Sequence, residues 1–94
     1  MWEILEHKRV DKALAIAPIE VQQRYEKWKD IVRISGPQGL RLIKGFKDEG
    51  LSGNWKGFRS SRLNIQYRVI YKVQNDQVLV EVEVERVTPH DYRR

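Results

Sequence analysis

The chain has 94 residues, of which 40% are hydrophobic and 10% aromatic, and it contains no cysteine. This length predicts one domain over residues 1–94, and the missing thiols exclude disulfides, thiol catalysis and thiolate metal sites. Eighteen basic against thirteen acidic side chains give a formal net charge of +5, which is typical of proteins that bind polyphosphates.

The positive charge is concentrated in one segment. Residues 41–72 hold eight basic and two acidic side chains and carry a net charge of +6, whereas 1–40 carry +1 and 73–94 carry −2. Either a solvated surface that keeps a small protein soluble or a polyphosphate-binding surface accounts for this. No apolar run reaches membrane-spanning length and no signal-peptide pattern opens the chain, so we expect a soluble, cytoplasmic protein without a membrane partner.

The N-terminal half predicts one short strand and two helices. Residues 2–6 are apolar-rich and suit a first strand, and helical spacing of apolar residues predicts a short helix over 8–17. A second helix should begin at Pro18 and end near Ser35, because Gly36 and the proline after it break it. Four apolar side chains at spacings of four, three and four define its buried face: Val21, Tyr25, Trp28 and Val32.

The C-terminal half predicts a sheet. Five of the six glycines lie in 36–54, which predicts a short helical turn followed by a flexible basic loop. Over 55–73 apolar and polar residues alternate, which predicts an unbroken strand with one apolar and one basic face. A turn at 74–77 should lead into a last strand at 78–84, where valines alternate with mainly acidic residues.

The element order β-α-α-β-β-β predicts an α+β fold, with two N-terminal helices packed on one face of a mostly antiparallel sheet. The other face is then left for function, and there we expect a phosphate-binding surface. Its cations come from adjacent strands and their entry loop: Lys56, Arg59, Arg62, Arg68 and Lys72. Three aromatic side chains are candidates for stacking on bases: Trp55, Phe58 and Tyr92. Core packing is the alternative for the first two.

Two other groups of residues are candidates for chemical sites. The alternating Glu81, Glu83 and Glu85 are typical of a solvated strand face or of cross-strand salt bridges, and no histidine interleaves with them, so we expect no metal site. His90 follows the last strand, with Tyr92 two residues later, and is a general-acid candidate. A lone terminal histidine is more commonly idle, and this alternative stays open.

Four stretches of the C-terminal half form a recognisable pattern: LSG at 51–53, KGFRSSRL at 56–63, YRVIY at 67–71 and HDY at 90–92. The pattern resembles the RelE/ParE toxin superfamily, and more closely its RelE, HigB and YoeB branches. This resemblance implies the RelE-like microbial RNase fold. It also implies a hairpin turn near 64–66, inside the stretch that periodicity predicts as one strand.

The resemblance implies the toxin of a type II toxin–antitoxin system. Ribosome-dependent members of these branches cut mRNA in the 30S A site, beside the 16S rRNA, when a ribose 2′-OH attacks the adjacent phosphate. Such a reaction needs a base, cations around the phosphate and an acid, but no metal and no small-molecule cofactor. The implied partners are the ribosome, mRNA and a cognate antitoxin that covers or neutralises residues 41–72.

The resemblance also implies roles for single residues. Arg68 matches the arginine that stabilises the phosphate in the transition state, and Arg62 matches a basic position that contacts phosphate. His90 falls where the family places its terminal acid. Tyr92 resembles the C-terminal tyrosine that orients the substrate or stacks on it.

The identity of the base stays open. Glu49 matches, by its spacing to the later motif, the glutamate base of the YoeB branch. HigB-like members often have a lysine where this chain has Ser52, and Lys47 or Lys56 are the nearby substitutes.

Two other functions also stay open. One is a ParE-like toxin that inhibits DNA gyrase and has no nuclease activity, and the other is a plain RNA-binding module with an inert tail. The combination of His90 and Tyr92 with the Arg68 strand favours the nuclease, because ParE-type members usually lack that combination.

Overall fold

The structure is a computed structural model that describes residues 2–75 and 77–84, with the backbone alone at 81–84. Its elements are β1 (Glu3–Glu6), α1 (Lys8–Ala15), α2 (Ile19–Ser35), α3 (Gln38–Arg41), β2 (Glu49–Gly50), β3 (Arg59–Arg62), β4 (Tyr67–Gln74) and β5 (Gln77–Val84). The strands form one sheet in the order β1-β5-β4-β3-β2, in which β1 runs parallel to β5 and the other pairs are antiparallel. The predicted α+β fold, with helices on one face of a mostly antiparallel sheet, is confirmed.

The core lies between the two long helices and one face of the sheet. The predicted apolar stripe of α2 is buried along its whole length: Val21, Tyr25, Trp28 and Val32. The central strands meet it with four more buried side chains: Val69, Tyr71, Val78 and Val80. Trp28 lies at the centre, stacked on Tyr25 with ring centroids 5.7 Å apart and edge-on to Tyr71 at 5.5 Å.

Side chains of β4 alternate between the two faces of the sheet. Three of them are buried against the helices: Tyr67, Val69 and Tyr71. Arg68 and Lys72 project from the opposite face, which is called the outer face below. Ile70 also belongs to the outer face and yet is only 1% exposed, which alternation alone did not predict.

The stretch 55–73 is two strands, so the prediction of one unbroken strand is wrong and the hairpin near 64–66 implied by the resemblance is confirmed. The side chain of Asn64 closes the turn. Its Oδ1 accepts hydrogen bonds from the backbone N–H groups of Gln66, at 2.8 Å, and Tyr67, at 2.7 Å. An asparagine can close such a turn without a glycine. The alternation of apolar and polar residues continues through the turn, so the local sequence does not indicate it.

The glycine-rich stretch predicted as a loop contains regular structure. Single 3-10 turns occupy Lys44–Phe46 and Gly53–Trp55, and β2 lies between them. β2 extends the sheet beyond β3, with Glu49 opposite Ser60. The prediction of a flexible loop is therefore wrong at β2, because pairing with another strand leaves no local signal.

No helix within residues 2–75 and 77–84 combines the length and the hydropathy needed to cross a membrane.

Gly36 ends α2 in a conformation that other residues rarely adopt. Its φ is 76° and its ψ is 175°, a region that is essentially restricted to glycine. A Cβ at this position would lie 2.5 Å from Nε1 of Trp2. The indole of Trp2 can therefore pack on the end of α2 only because the side chain at residue 36 is absent.

Gly36→Ala should lower the free energy of unfolding by about 2–4 kcal/mol, because backbone strain and overlap with Trp2 act together. Urea denaturation measures this. Gly53→Ala is the matched control, since Gly53 also has a positive φ, of 66°, but nothing lies within 4 Å of its Cβ position. The control should cost about 1–2 kcal/mol, and equal costs for the two variants would contradict the role of Trp2.

Asn64→Ala should lower the free energy of unfolding by about 1–2 kcal/mol, because two backbone N–H groups lose their acceptor. Asn64→Asp retains an acceptor oxygen and should stay within about 0.5 kcal/mol of the wild type. The same urea titration compares the two variants. Equal destabilisation would show that the side-chain oxygen does not hold the turn.

Candidate active site

A cleft opens on the outer face, at the end of the sheet where β3 turns into β4. Its volume is about 130 Å³, and nine residues line it: Lys47, Glu49, Ser60, Arg62, Asn64, Ile65, Gln66, Tyr67 and Arg68. Pockets for drug-sized ligands start at about 300 Å³. The cleft therefore suits one phosphate group of a longer chain better than a whole organic cofactor.

Arg62 and Arg68 form the cationic part of the cleft. They are directly opposite each other on β3 and β4, so their side chains leave the same face of the sheet. Like charges in such a position weaken a strand pair rather than stabilise it. Two guanidinium groups on one face match the oxygens of a phosphate, so the pair is a candidate anion-binding site.

The segment around β2 brings a carboxylate and an ammonium group to the same cleft. Glu49 lies opposite Ser60, and therefore on the same face as Arg62, which follows two residues later on β3. Lys47 precedes it with φ 45° and ψ 47°, a left-handed backbone that is uncommon outside glycine. Both side chains are exposed. The cleft thus combines a candidate base with three cations.

Asp48 points away from the cleft, into the protein, and its side chain is 0% exposed. Nε and Nη2 of Arg59 both lie 2.8 Å from Oδ1. Oδ2 accepts hydrogen bonds from Oγ of Ser61, at 2.7 Å, and from the hydroxyl of Tyr71, at 2.5 Å. Nε1 of Trp28 donates to the same Ser61 hydroxyl at 3.0 Å, which connects α2 to this Asp48 network.

The Asp48 network shifts the pKa of two of its members. Burial raises the pKa of Tyr71, and its hydrogen bond to the Asp48 carboxylate and the charge of that group raise it further. Burial acts to lower the pKa of Arg59, but the hydrogen bond and charge of Asp48 outweigh it, and the net shift is upward. At neutral pH, Tyr71 is therefore protonated and Arg59 is charged.

Arg59 lies apart from Arg62 and Arg68, although the sequence predicts one phosphate-binding surface for all three. Arg59 and Arg62 are three residues apart on one strand, so they lie on opposite faces of the sheet. The prediction that both belong to one phosphate-binding surface is wrong, since the Arg59 guanidinium is held by buried Asp48. Lys56 and Lys72 are exposed but are not among the residues that line the cleft.

The aromatic candidates have different positions. Trp55 and Phe58 are half-buried and pack edge to face on each other, with centroids 5.2 Å apart. Nζ of Lys72 lies 5.6 Å from the Phe58 ring centroid. His90 and Tyr92 lie outside the residues that the structure describes, so their roles stay predictions.

Comparison with known proteins identifies the fold. No protein-family model matches the chain, and no curated protein sequence matches it. Among solved structures, the archaeal RelE–RelB complex from Pyrococcus horikoshii OT3 has a chain with a TM-score of 0.70 and 24% identity, covering 93% of this chain and 98% of that chain.

Two bacterial structures have the same fold. The YoeB–YefM toxin-antitoxin complex from Staphylococcus aureus gives a TM-score of 0.66 at 18% identity, covering 94% of this chain and 99% of that chain. The YoeB/ParE toxin from Agrobacterium tumefaciens gives 0.68 at 12% identity, covering 89% and 99%. The fold expected from the resemblance to the RelE/ParE toxin superfamily is thus confirmed.

Stability should fall as the pH rises above about 10, because folding raises the pKa of two tyrosines. Burial is the main cause for Tyr25 and Tyr71, followed by their hydrogen bonds to Glu6 and Asp48. The unfolded chain releases protons that the folded protein keeps, so each tyrosine removes about 1.4 kcal/mol per pH unit above that point.

Urea denaturation from about pH 9 to about pH 11.5 measures this dependence, and Tyr71→Phe should remove one tyrosine's share of the slope. Below about pH 9 the slopes of variant and wild type should agree, since both tyrosines are then protonated in either state. Identical slopes throughout the alkaline range would contradict the raised pKa of Tyr71.

Proposed function

We propose that this chain, which has the fold of the RelE/ParE toxins, is the toxin of a type II toxin–antitoxin system. Its activity would be ribosome-dependent cleavage of mRNA in the A site, in the cytoplasm. The observation that carries this proposal is the phosphate-sized cleft on the outer face, where Arg62 and Arg68 lie beside Glu49. The similar structures include a YoeB–YefM toxin-antitoxin complex, which supports it.

The cleft residues supply the groups that this chemistry needs. Glu49 accepts the proton of the ribose 2′-OH, and the resulting oxygen attacks the adjacent phosphorus. Arg68, with Arg62, neutralises the charge that develops on the non-bridging oxygens. The bond from phosphorus to the 5′-oxygen then breaks, and His90 donates a proton to that oxygen while Tyr92 orients the substrate. The products are a 2′,3′-cyclic phosphate and a free 5′-hydroxyl.

A cognate antitoxin is the second part of the proposal. Residues 41–72 carry a net charge of +6, and the cleft holds three of their cations. A short, partly disordered and acidic partner chain could cover this surface on folding and so exclude mRNA. A small reading frame next to this gene would be its source.

A ParE-like gyrase inhibitor is the rival function. The similar YoeB/ParE toxin from Agrobacterium tumefaciens has the same fold, and a fold by itself does not determine a function. A protein that only binds gyrase has no need of a base, however. The presence of Glu49 beside two arginines in one cleft therefore favours the nuclease.

Arg68→Ala should reduce mRNA cleavage about a hundredfold or more, because a preorganised charge at the reacting phosphate is lost. The measurement is induced expression without antitoxin, followed by mapping of mRNA 5′ ends. Lys27→Ala is the matched control, since it removes the same charge from the exposed surface of α2 and should leave cleavage unchanged.

The pattern of damage separates the functions. Cuts inside translated codons would support the nuclease, whereas intact mRNA with damaged DNA would support the gyrase inhibitor. Wild-type cleavage by the Arg68→Ala variant would rule out the cleft as the active site.

A further inference from the structure

Asp48 is a buried ionisable residue that the proposed reaction does not use. Its side chain is 0% exposed, whereas Lys47 and Glu49 on either side are exposed. Transfer of a carboxylate out of water is unfavourable unless hydrogen bonds and opposite charge compensate it, as Arg59, Ser61 and Tyr71 do here. An exposed loop does not require a buried carboxylate with three partners, so the burial of Asp48 needs a separate explanation.

We infer that Asp48 is a positioning residue for the cleft. Its carboxylate holds the segment 47–50 in the register that directs Glu49 and Lys47 toward Arg62 and Arg68. This inference rests on the proposed function of the cleft and adds a residue that does not itself touch the substrate.

The first reason is that β2 is too short to fix its own register. It has two residues, with Glu49 opposite Ser60 and Gly50 opposite Arg59. A slip by one residue in a strand exchanges its two faces, which here would turn Glu49 inward and Asp48 toward the cleft. The Asp48 contacts to side chains of β3 and β4 oppose that slip.

The second reason is the backbone of Lys47. Its φ of 45° and ψ of 47° are unfavourable for a residue with a Cβ, and such conformations persist where the surrounding structure enforces them. The next residue is Asp48, whose contacts tie the segment to two strands and, through Ser61 and Trp28, to α2. Asp48, which anchors the segment, is therefore adjacent to the strained Lys47 at the edge of the cleft.

Asp48→Asn and Tyr25→Phe form a matched pair of variants. The first retains the shape of the side chain but removes its charge. The second removes another tyrosine–carboxylate hydrogen bond, from Tyr25 to Glu6 at 2.6 Å, and neither residue lines the cleft. Both variants should unfold more easily than the wild type, so the comparison separates loss of stability from loss of positioning.

The first experiment measures single-turnover cleavage of mRNA on programmed ribosomes, below the melting temperature of every variant. Asp48→Asn should lower the rate at saturating toxin by about tenfold to a hundredfold, because misplacement of reacting groups acts on the chemical step. The half-saturating concentration should change by less than about threefold. Tyr25→Phe should leave both unchanged. A folded Asp48→Asn variant with the wild-type rate would overturn the inference.

The second experiment needs neither ribosome nor RNA. Amide hydrogen exchange should become faster at residues 47–50 in Asp48→Asn, by about tenfold or more, and not in Tyr25→Phe. Tyr71→Phe, which removes the 2.5 Å hydrogen bond to Oδ2 but keeps the charge of Asp48, is a milder variant that should act in the same direction.

These outcomes distinguish two failures. Wild-type protein that leaves mRNA intact would overturn the proposed function, and the exchange experiment would still decide whether Asp48 positions the segment. Unchanged exchange at residues 47–50 in both Asp48→Asn and Tyr71→Phe would overturn the inference, whatever the activity.

Discussion

The cleft depends on the interactions of the buried Asp48 carboxylate. The carboxylate joins the segment before β3 to Arg59 and Ser61 on β3, to Tyr71 on β4, and through Trp28 to α2. Removal of one partner from a buried ion pair typically costs about 3–5 kcal/mol. Small domains have only about 5–15 kcal/mol of stability, so the Asp48 contacts are a large share of what stabilises the fold. The same contacts align the cleft.

The two faces of β3 give the same residue type different roles. Arg59 faces the helices and neutralises Asp48, whereas Arg62 faces outward beside Arg68. Strand parity alone makes this difference, because side chains three positions apart leave opposite faces. The number of basic residues therefore overstates how many can contact a phosphate, because Arg59 and the outer-face Lys72 do not line the cleft.

In the proposed function, the same cleft would meet two partners of the same charge. An mRNA phosphate and an acidic segment of an antitoxin would both be attracted to Arg62, Arg68 and Lys47. Only the RNA carries the 2′-OH on which Glu49 would act. Binding of either partner would then depend on charge, whereas the reaction would depend on the position of the Glu49 carboxylate.

The sequence alone determined the buried face of α2 and the alternation of β4, since these follow from local periods of 3.6 and 2. The shared face of Arg62 and Arg68 depends on the register of the hairpin between their strands. The sequence did not determine β2, the parallel pairing of β1 with β5, or the role of Asp48. Those features join residues far apart in the chain, and pairing between distant residues leaves no period in either segment. Periodicity missed the Asn64 turn, which only the resemblance implied, because a side-chain oxygen, not a glycine, closes it.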